Sequence, residues 1–209
     1  MAKEKGSFKE FLSAVAPEYQ AFVEKLNNKL IEQGCDLVIK EAKSGYAASY
    51  QLEKKTVMNW VFRKSGVLAR IYGDNAGKYE DIIASLPAEM QKKMTTSRDC
   101  KRLIDPTACS DTCVKGFVYT LNGDTHKKCR NDGMFFLLTN ETAEHIARLV
   151  CAEVTCVSRL HSDRIVKFDK FRFVRLSIFN FTTSYPHTSG NLKKVIAFFI
   201  SKFKIGMID

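Results

Sequence analysis

The sequence predicts an α+β fold, an antiparallel sheet flanked by helices with a basic C-terminal extension, and three observations carry that prediction. Apolar residues recur at spacings of three and four near the start of the chain and again shortly before residue 154. Between those stretches they recur at a spacing of two, and the runs are separated by turns that contain glycine. Helical and strand-like segments do not alternate strictly, as a parallel sheet would require.

The first helix is announced by Ser7-Phe8-Lys9-Glu10, a capping box in which serine and glutamate side chains satisfy backbone donors at a helix start. Phe8, Phe11, Leu12 and Val15 then share one face. Pro17 interrupts the pattern but suits the first turn of a new helix, which continues through Tyr19, Phe22, Val23, Leu26 and Leu30 until Gly34. From Cys35 the period changes to two. Tyr46, Ala48, Tyr50 and Leu52 form one alternating run, Met58, Trp60 and Phe62 another, and Val67, Ala69 and Ile71 a third. Lys64-Ser65-Gly66 joins the last two as a hairpin with glycine at positive φ.

Helical spacing returns from Asn75 to Met94 through Tyr79, Ile82, Ile83 and Leu86, with Pro87 opening a second short helix. A turn-rich, cysteine-rich segment runs to Lys115. Gly116 to Leu121 reads as a strand, Asn122-Gly123 as a hairpin turn, and Met134 to Leu138 as a buried strand. A last helix, capped near Thr139 or Asn140 and reaching Val154, carries Ala143, Ile146, Ala147 and Val150 inward. Residues 1–154 therefore complete an α+β domain.

Residues 155–209 differ in style. They hold eight of the fifteen phenylalanines and ten of the 33 lysines and arginines, against three of the 23 acidic residues, so they carry most of the net charge of +10. Two accounts of this Phe-rich extension stand side by side. Leu192, Val195, Ile196, Phe199 and Phe203 share a helical face near Lys193, Lys194, Lys202 and Lys204, a pattern suited to an anionic membrane surface. Alternatively the segment is an unselected translated extension that is not part of the native fold. Either way residues 1–154 are close to neutral, which argues against nucleic acid as their partner because such binding needs a concentrated basic face.

The chain opens without an apolar run after Met1, and no uncharged apolar stretch approaches 18 residues. A cytoplasmic location without a transmembrane segment is the expectation. The seven cysteines then read as thiols, metal ligands or buried apolar groups rather than disulfides. Four of them, Cys100, Cys109, Cys113 and Cys129, follow the spacing C-x8-C-x3-C-x15-C. Four thiolates can close the tetrahedral shell of a structural Zn2+ ion, so these four are the candidate metal ligands. Ordinary reduced cysteines and a redox use fit the same spacing. His126, three residues before Cys129, is either a substitute ligand or a solvent-facing strand histidine. Cys129 also stands beside Lys127, Lys128 and Arg130, which could favour its thiolate in a cysteine-dependent enzyme or redox protein.

No nucleophile elbow, phosphate-binding glycine loop or helical zinc-protease motif occurs, and Gly73-Asp74-Asn75-Ala76-Gly77 reads as a turn into a helix. No catalytic or cofactor-binding residue is assigned. Tyr46, Tyr50, Trp60 and Phe62 with Arg63, Lys64 and Arg70 make either a core or an aromatic, basic sheet face for single-stranded nucleic acid.

With these residues in view, Ser44 to Val154 resembles an uncharacterised bacterial family of small α+β domains. The resemblance rests on Asn59-Trp60-Val61-Phe62-Arg63-Lys64-Ser65-Gly66-Val67 running on to Arg70-Ile71-Tyr72-Gly73-Asp74, and on Cys100-Lys101-Arg102-Leu103-Ile104-Asp105-Pro106 running on to Cys129. The plan is also loosely similar to YdhG-type iron-chaperone-like and MmcQ/YjbR-like domains, which imply iron handling or DNA binding without defining site residues. The function expected from all of this is a non-catalytic intracellular binding module with a structural zinc. A cysteine-dependent enzyme or redox protein and a nucleic-acid-binding protein are the alternatives.

Overall fold

A computed structural model describes residues 6–159 of the protein. The expectations for the extension, beyond residue 159, lie outside the described residues.

The first helix, α1 (Phe8–Ser13), begins with the capping box: the Ser7 amide donates to Glu10 Oε2 at 2.7 Å and the Glu10 amide to Ser7 Oγ at 3.2 Å. Pro17 opens α2 (Pro17–Glu32), which buries Val23, Leu26 and Leu30. Gly34, with φ of 86°, ends it and lets the Cys35 amide reach back to the Leu30 carbonyl at 3.0 Å.

Four strands follow as a meander: β1 (Asp36–Ala42), β2 (Gly45–Leu52), β3 (Lys55–Arg63) and β4 (Gly66–Ile71). The β3–β4 turn uses Gly66 at φ 119°, as its sequence predicts. Glu53 and Lys54 turn β2 into β3 at positive φ without any glycine, a turn that the sequence does not signal. Next come a 3-10 turn (Ala76–Lys78), α3 (Glu80–Ala84) and α4 (Ala88–Thr96), so the expected helix from Asn75 begins instead as a single tight turn and breaks at Tyr79. The cysteine segment holds one short helix, α5 (Lys101–Ile104). Asn122 and Gly123, at φ 53° and 88°, then join β5 (Phe117–Leu121) to β6 (Asp124–Lys128). The strand β7 (Phe135–Leu137) pairs with β4, giving an antiparallel sheet of order β1-β2-β3-β4-β7 beside the separate β5-β6 hairpin. The last helix, α6, spans residues 143–159. Thr139 caps it, its Oγ1 accepting from the Thr142 amide at 3.2 Å while the Thr142 hydroxyl accepts from the Thr139 amide at 2.9 Å. The boundary expected at Val154 falls inside this helix, and Cys156 and Val157 still pack against the core.

Strand register decides which side chains enter the core. Ala48, Trp60, Ala69 and Phe136 lie in one cross-strand row, and Tyr50, Met58 and Ile71 in the next; all seven are buried. They join α2, α4, α6 and the β5-β6 hairpin in one apolar cluster, so helices and hairpin cover one face of the sheet. This settles the aromatic set as core. Tyr50 and Trp60 are fully buried, while Tyr46 and Phe62 pack against the same cluster. Arg70 pairs in register with Asn59 and therefore points to the opposite face, where its guanidinium lies 4.6 Å from the centre of the Phe135 ring. Tyr50 and Trp60 on the one side and Arg70 on the other thus cannot form a single platform. Among the described residues no helix is long and apolar enough to cross a membrane.

Candidate metal centre

The cysteine segment is built on a short backbone bridge. Asp99 pairs with Lys128, so the Cys100 amide donates to the Lys127 carbonyl at 2.8 Å and the Cys129 amide to the Arg98 carbonyl at 2.9 Å. Cys100 and Cys129 are thereby placed diagonally on one side of the bridge. Asp99 and Lys128 occupy the other side. Lys128 is only 5% exposed, and its ammonium donates to Thr95 O at 2.7 Å, Ser97 O at 3.0 Å and Asp99 Oδ1 at 2.7 Å. It neutralises the free carbonyls at the C-terminal end of α4 and lowers the pKa of Asp99.

This geometry changes the expected surroundings of Cys129. Lys128 is committed to the end of α4. Arg130 is committed to Asp74, with Nε to Oδ1 at 2.7 Å, to the Thr56 carbonyl at 3.0 Å and to the face of Tyr72. The basic residue opposite Cys129 on the bridge is Arg98, whose carbonyl accepts the Cys129 amide at 2.9 Å and whose guanidinium pairs with Asp132 at 2.6 Å. His126 follows the pleat parity of Lys128 rather than that of Cys129. It is half-buried, stacked on Tyr119 with ring centres 5.0 Å apart, so it is neither solvent-facing nor a neighbour of the thiols on the bridge.

Cys100 is held most firmly. It is buried, caps α5, and its sulfur accepts the Gly116 amide at 3.3 Å. The loop between α5 and β5 supplies Cys109 and Cys113, both half-buried. Asp105 starts this loop by accepting from the amide and hydroxyl of Thr107, which lower its pKa. The loop turns at Ser110, whose carbonyl accepts the Cys113 amide at 2.8 Å, and Arg102 of α5 holds the Cys113 carbonyl. The Cys113 thiol donates to the Val114 carbonyl at 3.5 Å. A hydrogen bond with Cys109 raises its pKa most, followed by burial and then by the nearby Cys109, Cys129 and Cys100 thiols. The four predicted residues thus lie in two pairs, Cys100 and Cys129 on the bridge and Cys109 and Cys113 on the loop. All seven cysteines are free thiols. Among the described residues, no group of three or more His, Cys, Asp or Glu side chains stands in an arrangement that would hold a metal ion.

Gly116 is the position that lets the loop close on the bridge. A Cβ there would lie 2.1 Å from the Lys128 carbonyl oxygen and 2.7 Å from Cys100 Cβ. Gly116→Ala should therefore push β5 off the bridge, cost about 1–3 kcal/mol in denaturant unfolding, and speed amide exchange at Cys100 and Cys129. Wild-type stability and exchange in this variant would contradict the close approach.

Among the described residues, two charged groups outside the predicted set are buried. Lys128 stands opposite Phe117, at a β6 position whose parity faces the core. Glu153 follows Ile146, Leu149 and Val150 at helical spacing, a charge set on an apolar stripe, and it is 1% exposed. Both were legible as anomalies of pattern, and both are structural.

No family model, curated protein or solved structure matches this chain.

Proposed function

We propose that the protein is a non-catalytic, cytoplasmic binding module whose cysteine segment is closed by a structural zinc ion on Cys100, Cys109, Cys113 and Cys129. The observation that supports this reading is that a backbone bridge holds Cys100 and Cys129, while the loop that carries Cys109 and Cys113 returns to it at Gly116, whose amide donates to the Cys100 sulfur at 3.3 Å. Four cysteine sulfurs are the donor set of structural rather than catalytic zinc, since they leave no open position for a substrate or water. Closure requires the loop pair to draw in towards the bridge pair, and the ion supplies the free energy for that movement.

Protein purified without chelators should carry about one zinc ion per chain by native mass spectrometry with metal analysis. Cys100→Ser and Cys129→Ser should each abolish it. Chelation should speed amide exchange across residues 100–129 before the five-stranded sheet responds. Zinc content near zero, with stability unchanged on adding zinc, would overturn the reading.

A further inference from the structure

The five-stranded sheet ends on two unlike edges. β7 is three residues long, whereas β1 runs for seven, with β2 as its one neighbour in the sheet and an unbroken register between them. An edge strand presents a row of backbone donors and acceptors, and natural edges are blunted by shortness, proline, a bulge or charge. β1 has neither proline nor bulge, which leaves Asp36, Lys40 and Glu41 as its guard among the described residues. Their spacing does not repel a second β1. Asp36 and Lys40 are exposed, share with half-buried Val38 the face opposite the apolar cluster, and stand two residues to either side of it.

An antiparallel pairing about a two-fold axis at Val38 sets Asp36 of each copy opposite Lys40 of the other, Leu37 opposite Ile39, and Val38 opposite itself. Opposite charges directly across an antiparallel pair stabilise it. The neighbouring registers lose this match. An axis at Ile39 sets Val38 against Lys40 and Leu37 against Glu41, one at Lys40 sets the two lysines against each other, and one at Leu37 leaves Asp36 against Val38. We propose that two copies of this chain associate edge to edge through residues 36–40, in the register centred on Val38, joining their five-stranded sheets into one. The axis is perpendicular to the sheet, so the helices of both copies lie on the same side of it. Leu37 of each copy gains Ile39 of the other as an apolar cross-strand neighbour.

The test is sedimentation equilibrium of the full chain over a concentration series, with amide exchange read at high and low concentration. The expected result is a dimer that dissociates on dilution, with faster exchange in the dilute sample at the β1 amides that point away from β2. Asp36→Lys and Lys40→Asp each create two like-charged pairs at the contact, so each should weaken the dimer about tenfold or more, while the double exchange should recover wild-type affinity to within about threefold. Both positions are exposed, so neither replacement touches the core. A monomer at every concentration up to about 1 mM, a dimer indifferent to the single replacements, or a double variant as weak as the singles would overturn the inference. So would β1 amides equally protected at every dilution, the result expected if another part of the same chain covers the edge.

Discussion

Replacing Glu153 by alanine should destabilise the domain by about 3 kcal/mol, because three donors then lose their acceptor, and the buried one alone, the Tyr79 hydroxyl, costs roughly 1–3 kcal/mol. Glu153 Oε2 accepts from the Asn75 amide at 3.1 Å and from the Tyr79 hydroxyl at 2.8 Å, and Oε1 accepts from Asn75 Nδ2 at 2.8 Å. The carboxylate thus ties α6 to the 3-10 turn that redirects the chain after β4. Burial raises its pKa above the ordinary 4.5, although the hydrogen bonds from Asn75 and Tyr79 act in the opposite direction. A raised folded-state pKa means that the folded protein holds this proton more tightly than the unfolded chain. The stability tied to it is complete below 4.5 and falls as pH climbs through the folded-state value. Glu153→Gln retains an acceptor and the side-chain length, so it should cost less than Glu153→Ala and should flatten that fall. Chemical denaturation across mildly acidic to neutral pH checks both statements. Equal losses in the two variants, or a wild-type slope of the opposite sign, would contradict them.

Trp60→Ala should be more damaging still, at about 3–5 kcal/mol. Trp60 is fully buried, and its register partners on both sides are alanines, Ala48 on β2 and Ala69 on β4. One large ring therefore fills a space that its neighbours are too small to occupy. Truncation leaves a cavity that Ala48 and Ala69 cannot fill, and the cost of such changes rises with the volume left empty. Against a total stability of about 5–15 kcal/mol for a domain of this size, that loss would leave a visible unfolded population. Trp60→Phe keeps most of the buried aromatic surface and should cost clearly less. Unfolding midpoints of the two variants decide the matter, and a mild effect of the alanine would mean that Trp60 does not organise the sheet.

These cases also show which parts of the structure the chain announces. Ser7 and Glu10, Pro17, Gly34, Gly66 and Asn122-Gly123 mark their caps and turns because each satisfies a local requirement, a backbone donor or a positive φ angle. The inward set of Ala48, Tyr50, Met58 and Trp60 follows from period two alone. The Glu53-Lys54 turn is silent because residues other than glycine adopt its geometry when the paired strands impose it. The insertion of β7 beside β4 is silent as well, since pairing across so many residues leaves no local trace. For the cysteine segment, spacing groups the four thiols but cannot say that a bridge between Asp99 and Lys128 holds two of them while a loop carries the others. Nor could charge counting distinguish Lys128, buried under α4, from Arg98, which stands opposite Cys129 on the bridge. Both are basic neighbours in sequence or space, and only pleat parity separates them.

The central claim, that one ion gathers the bridge pair and the loop pair, is tested most directly by X-ray absorption at the zinc edge on the zinc-loaded protein. Four sulfur neighbours at about 2.3 Å, falling to three in Cys109→Ser or Cys113→Ser, are the predicted result. A shell dominated by nitrogen or oxygen, or a four-sulfur shell that survives the loss of either loop cysteine, would contradict it.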